Sequence, residues 1–292
     1  MIDAVLNIEN LSKKYKEFTL DNVSFSVEPG TVTGLIGQNG AGKTTIIRLI
    51  MNMTERSGGK ITVCGMDNLD DEISVKNRIG YVSDESYILY GTTLKKTAAA
   101  CAAAYENWDG EKFSSLLKKW NISEKKKAGS LSKGMQTKAM LAVALSHSPD
   151  LLILDEPTAG LDPVARIEIL EMLREFVSDG KRSVLFSTHI TSDLDKIADF
   201  ITLIIDGKIH ESMSIDMIED KYAVISGSND KLNPGNEPLT IGLRKHDSGF
   251  EAMIKRENLS KFDGVSVKNP NTENLLTYSI WQHEKEKGEK TE

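Results

Sequence analysis

The chain has 292 residues, a net charge of −7 and 27% charged residues, with a sequence pI of about 5.4. That length allows one large domain or two ordinary ones, and the acidic balance argues against a general nucleic-acid binder, which shows a basic face. Cys64 and Cys101 have no Cys or His neighbours at ligand spacing, no uncharged run approaches the roughly 18 residues of a membrane span, and the first five residues carry no signal-peptide pattern, so a cytoplasmic chain with reduced thiols is expected.

Residues 6–9 and 23–27 alternate with period two, as half-buried strands do, and residues 11–15 between them read as a polar loop. Pro29-Gly30 marks a turn before a buried strand at residues 31–36. Next comes Gly37-Gln38-Asn39-Gly40-Ala41-Gly42-Lys43-Thr44-Thr45, which fits G-x-x-x-x-G-K-[ST]. A helical apolar pattern follows over residues 46–53, so the motif has the strand–loop–helix context of a phosphate-binding loop. Its glycines let the backbone approach a ligand closely. Its N–H groups can turn inward as an anion nest. Lys43 supplies a point charge for the β- and γ-phosphates, and Thr44 offers a hydroxyl to Mg²⁺.

A Ser57-Gly58-Gly59 turn leads into a short strand at residues 61–63. Residues 79–82 read as another strand, followed by a polar junction, Ser83-Asp84-Glu85. From Thr92 to about Ser146 the pattern is helical, and the alanine-rich stretch at residues 97–104 is read as ordinary close packing rather than a partner contact. Asn107 and Asp109 can cap a helix with Phe113, Leu116, Leu117 and Trp120 on one face. In Leu131-Ser132-Lys133-Gly134-Met135-Gln136, Ser132 is placed as a helix cap and Gly134 leaves room for close approach. This is a second anion-ready helix start, although such caps are common.

Residues 151–154 are continuously apolar, the mark of a strand buried on both faces, and end in Asp155-Glu156. Asp155 is a Mg²⁺ carboxylate candidate acting through water, opposite Thr44. Neighbouring strand residues point to opposite faces, so the chain must turn for Glu156 to reach the same ligand; Pro157 is expected to enforce that break. Glu156 can then polarise the attacking water. Residues 166–176 read as a helix, and residues 183–187 as a buried strand leading at once to His189, which can donate a hydrogen bond to a γ-phosphate. Residues 200–209 read as a hairpin around Asp206-Gly207. Beyond Ser212, strands are expected at residues 222–226 and 239–243, a capped helix from Thr272 to about Trp281, and a frayed charged tail from Glu284.

In this order, the phosphate loop, the Ser132 stretch, Asp155-Glu156, Ala159-Gly160-Leu161-Asp162 and His189 resemble an ABC ATPase nucleotide-binding domain over roughly residues 3–211. The resemblance implies that Tyr15 stacks on adenine, that Glu156 is the catalytic base and that His189 is the γ-phosphate switch. It also implies that Ser132 and Gly134 contact the γ-phosphate of a second protomer, that Asp162 links the two sites, and that two such domains sandwich two ATPs. The signature of the family usually reads Leu-Ser-Gly-Gly-Gln; here it is Leu-Ser-Lys-Gly-Met, which looks like the bacterial drug, antibiotic and peptide exporter branch, as do Asn107-Trp108-Asp109 and the C-terminal helix. The glutamine that follows the Tyr81 strand in many relatives is Asp84 here, a shorter carboxylate expected to reach Mg²⁺ through water.

The expected fold is an α/β P-loop NTPase with a parallel-sheet core, an antiparallel β subdomain, a helical subdomain over about residues 84–146 and a small C-terminal α/β extension. The ATPase domain is placed at residues 1–211 and the extension at 212–292. The expected function is ATP hydrolysis that powers export through a separate transmembrane permease, on the inner face of the cell membrane. The second ATPase subunit would be an identical copy or a paralogue, and no nucleic acid is involved. The alternative is a soluble ABC ATPase with a regulatory role; one cassette and a short segment before Ser132 speak against translation and DNA-repair types, and Lys133 against an importer.

Overall fold

The computed structural model describes residues 4–84, 88 and 91–289. Residues 1–3, Glu85 of the expected polar junction and residues 290–292 of the expected tail lie outside the described residues. Strands β1 (Leu6–Lys14) and β2 (Thr19–Val27) pair antiparallel. β1 runs through most of the stretch expected as a loop. Its register shifts between Ile8 and Leu11, with Asn10 at φ 50°. A bulge of this kind throws the alternation out of phase, which is why a period-two reading stops at Glu9.

β3 (Val32–Ile36) leads through the phosphate-loop segment into α1 (Lys43–Ile50), both ends of which lie N-terminal to the expected bounds. β4 (Gly58–Val63), β5 (Met66–Asp67), α2 (Glu72–Arg78) and β6 (Ile79–Val82) follow. The helical segment holds α3 (Leu94–Ala104), α4 (Gly110–Lys119) and α5 (Lys133–Leu145), whose N-termini accept caps from Thr93, Asp109 and Ser132. Of the two expected caps for α4, Asp109 serves and Asn107 does not. Then come β7 (Leu151–Asp155), α6 (Pro163–Val177), β8 (Ser183–Thr188), α7 (Thr191–Ile197), β9 (Phe200–Ile205) and β10 (Lys208–Ser214). The chain continues through α8 (Met217–Lys221), β11 (Tyr222–Gly227), β12 (Thr240–His246), β13 (Gly249–Lys255), β14 (Ser266–Lys268) and α9 (Thr272–Glu289).

Among the described residues these strands form three sheets. The central one has the order β10-β9-β3-β8-β7-β6 and is parallel apart from the β9–β10 hairpin. The other two, β2-β1-β4-β5 and β12-β13-β11-β14, are antiparallel. The apolar run of β7 explains itself here. Leu151 and Ile153 enter the core shared with α1 and the first sheet, while Leu152 and Leu154 enter the core shared with the helical segment. A strand covered on both faces needs no polar side.

Two further expectations change. The alanine-rich α3 is not closely packed throughout: Leu94, Ala98 and Cys101 form its inward stripe, while Ala99, Ala100 and Ala102 to Ala104 are exposed. Helix α9 does not fray after Trp281 but continues to Glu289. Leu275 and Tyr278 are buried in the main core, and Lys287 Nζ pairs with Asp206 at 2.6 Å, which ties the charged end to the β9–β10 turn. Both cysteines are free thiols.

Candidate active site

The site lies at the C-terminal ends of β3, β7 and β8, where a parallel sheet binds its ligands. Between β3 and α1 the loop is shaped by its glycines. Gly42 has φ +116°, and a Cβ there would meet the Phe18 ring at 2.9 Å; at Gly37 a Cβ would lie 2.4 Å from the Ile204 carbonyl oxygen. The β9–β10 turn supports the loop from behind, with Gly207 N–H donating to Ala41 O at 3.0 Å. Lys43 is buried and folds back over the loop. Its Nζ donates to Gly37 O at 2.7 Å and Gln38 O at 3.3 Å and pairs with Glu156 Oε1 at 3.6 Å. Burial holds its pKa below the usual lysine value, against the opposing charges of Glu156 and Asp155.

Thr44 Oγ1 donates to Asp155 Oδ2 at 2.9 Å. Asp155 Oδ1 and the hydroxyl of Ser187, its register partner on β8, are buried beside each other, and among the described residues neither has a partner in good hydrogen-bond geometry. Burial pushes the Asp155 carboxyl above its ordinary pKa, with the Thr44 and Ser187 hydroxyls acting the other way. An unsatisfied buried carboxylate oxygen beside two hydroxyls fits a hard cation. Among the described residues no cage of three His, Cys, Asp or Glu side chains occurs, but Mg²⁺ at a nucleotide needs only one or two carboxylates and the phosphates.

Glu156 reaches the same side as Asp155 by a different turn from the one expected. The break falls on Glu156 itself, at φ +51°, one residue before Pro157. Its Oε2 accepts from His189 Nδ1 at 2.8 Å, Thr188 Oγ1 at 3.2 Å and His189 N at 3.3 Å. Among the described residues the ion-pair partner of Oε1 is Lys43, 3.6 Å away. One oxygen is therefore saturated with donors, and the other keeps lone pairs aimed into the cleft, as a general base requires.

The cleft, of about 380 Å³, is lined by Phe18, Asn39, Gly40, Gly42, Lys43, Thr44, Thr45, Asp84 and Glu156. A larger one, of about 520 Å³, lies between α7 and the start of α9 but has no phosphate-binding loop. Not every sequence candidate meets in the site. Tyr15 is 40% exposed and stands beside the Phe18 ring, with centroids 6.5 Å apart. Ser132 caps α5, accepting from Met135 N at 3.4 Å, with Gly134 packed near Leu161 and Ala165. Asp162 caps α6 through Val164 N and Ala165 N, both at 3.0 Å, bonds that hold its carboxyl low. Sequence reasoning missed Phe18, Ser187 and Thr188. Their positions depend on β2 and β8 folding beside the loop, and no local motif marks them.

A family model described as "ABC transporter" matches residues 20–159. A second, described as an AAA domain, putative AbiEii toxin of a type IV toxin–antitoxin system, matches residues 126–194. The chain is 36% identical over 197 residues to the ABC transporter ATP-binding protein NatA of Bacillus subtilis, covering 64% of this chain and 78% of that protein. It is 30% identical to the ABC-type transporter ATP-binding protein EcsA of Bacillus subtilis, over 85% of this chain and all of EcsA. With the Nod factor export ATP-binding protein I of Cupriavidus metallidurans it shares 31% identity, over 81% of each chain. A solved structure of an ATP-binding subunit of an ABC transporter superposes with a TM-score of 0.68 at 28% identity, covering 74% of this chain and 92% of that one.

Proposed function

The chain belongs to the ABC transporter ATP-binding family and hydrolyses ATP, and from that premise we propose that this hydrolysis powers export of a drug, antibiotic, peptide or lipid-like cargo through a separate membrane permease. The observation that carries the ATPase chemistry is the two-sided setting of Glu156, with Oε2 held by three donors and Oε1 directed at the phosphate loop. In this reading Lys43 and the loop N–H groups hold the β- and γ-phosphates. Thr44 and Asp155, with Asp84 nearby in the cleft, would hold Mg²⁺, which would supply charge neutralisation. Glu156 takes the proton of the attacking water, and His189 orients Glu156 while facing the γ-phosphate. Tyr15, with Phe18, provides the aromatic platform for the base.

Two copies, or one copy and a paralogue, close head to tail, so that Ser132 and Gly134 of one meet the γ-phosphate held by the other, and Asp162 lies between the two sites. Residues 1–211 form the ATPase domain, with its helical subdomain over about 84–146, and residues 212–292 an extension. Export is supported by the relatives named for Nod factor export and by the exposed alanine face of α3, a low-relief surface for a permease to dock on. Among the described residues no helix is long and apolar enough to cross a membrane. In this reading the chain is held on the inner face of the cell membrane by the permease. Affinity purification from detergent-solubilised membranes tests this. A polytopic membrane protein should come down with the chain and stimulate its ATPase; recovery without any membrane protein contradicts the transport reading.

A further inference from the structure

Two residues that depart from the family pattern meet each other. Lys133 Nζ donates to Asp84 Oδ1 at 3.1 Å. Asp84 lines the nucleotide cleft of its own chain, whereas Lys133 sits between Ser132 and Gly134 as the first residue of α5. The side chain runs past Gly160, where a methyl group would lie 3.6 Å from Lys133 Cδ and 3.7 Å from Nζ. Gly160 belongs to the segment that joins Glu156 to α6. A cation on the first turn of a helix opposes the helix dipole, and α5 has no acidic residue there. The ammonium therefore needs an anion, and among the described residues its ion-pair partner is Asp84.

We propose that Lys133 is a positioning residue of the composite ATP site, latched in cis by Asp84 and released toward the γ-phosphate held by the second copy. The proposal rests on the head-to-tail reading above. When nucleotide and its cation occupy the cleft, Asp84 exchanges the ammonium for the water shell of the cation. Lys133 then turns to the nearest remaining anion, the phosphate that Ser132 and Gly134 face. The contact thus makes one copy's readiness to close depend on whether its own cleft is filled. Both side chains are about half exposed, at 50% and 51%, so the pair shifts an equilibrium by only about two- to fivefold. A latch that weak can open under nucleotide.

The test is a mutant cycle in a Glu156→Gln background, reading by light scattering the MgATP concentration for half-maximal dimerisation. Asp84→Asn should move this midpoint about two- to fivefold further down when Lys133 is present than when Lys133→Gln accompanies it. The difference should shrink at about 0.5 M salt, where screening acts within a few ångströms. Lys133→Met must behave as Lys133→Gln, since the ammonium and not the stem is at issue. An equal Asp84→Asn shift in both backgrounds, or a difference indifferent to salt, overturns the latch while leaving the sandwich intact. If the Glu156→Gln chain forms no dimer at any MgATP concentration, there is no midpoint to compare, and the head-to-tail reading falls together with the latch.

Discussion

At the scale of single residues, the backbone of Glu156 does the decisive work. A non-glycine residue at φ +51° costs about 1–3 kcal/mol, and here the cost brings two consecutive carboxylates to one side of the sheet. Lys43 is the charge that faces them. Lys43→Ala should lower ATP turnover about 100-fold or more, the usual effect of losing such a transition-state contact; near-normal turnover in a phosphate-release assay would remove the loop from the chemistry. Asp155 yields a pH prediction. Burial raises its folded-state pKa above the unfolded value, so the folded chain binds the extra proton and loses stability as pH rises from the unfolded pKa through the folded one. Mg²⁺ beside Oδ1 should offset that loss. Above this window, Asp155→Asn should melt no lower than the parent without Mg²⁺. It should also lose the rise in Tm that MgATP gives over ATP with chelator; a variant that keeps the full rise places the metal elsewhere. For the base platform, Tyr15→Ala and Phe18→Ala should each raise the ATP KM more than they lower kcat, within the about 1–3 kcal/mol of a stacking contact. A rise for Phe18→Ala alone would transfer the platform to Phe18.

At the scale of elements, what matters is which segments hold the loop and the base in place. Helix α9 is linked to the loop's support through Lys287, which pairs with Asp206 in the β9–β10 turn, and it is docked by Leu275 and Tyr278, buried in the main core. Leu275→Ala should therefore cost about 2–5 kcal/mol in urea unfolding, with a single cooperative transition. A loss below about 0.5 kcal/mol, the range of surface substitutions, would mean that α9 is not docked. The same elements explain what could be read in advance. β7 was legible because both its faces are buried and its apolar run is unbroken. Lys43, Thr44, Asp155, Glu156 and His189 were legible because motif spacing ties each to the end of such a strand. α7 was not, since Thr191 and Asp193 are among its buried residues and break the apolar period. β14 is exposed along its whole length and shows no alternation. The Asp84–Lys133 pair spans 49 positions, and only the folded chain brings it together.

At the scale of the whole molecule, the cleft of one chain is lined by the phosphate loop, Thr44, Asp84 and Glu156, while Ser132 stands outside it as the exposed cap of another helix. The proposed mechanism therefore needs a second copy to bring that helix start to the phosphate, and two-fold symmetry would repeat the arrangement at both nucleotides. In the proposed mechanism Glu156→Gln removes the charge that opposes closure and the base that ends it, at nearly constant volume. Turnover should fall at least about 100-fold with the loss of general-base catalysis. The most direct measurement is the molar mass of this variant by light scattering, with and without MgATP, alone and with the permease, and again after adding Ser132→Arg. A dimer that appears only with MgATP and disappears with Ser132→Arg, while ATP binding persists, is the predicted result. A monomer for Glu156→Gln in every condition, or a dimer indifferent to Ser132→Arg, contradicts it.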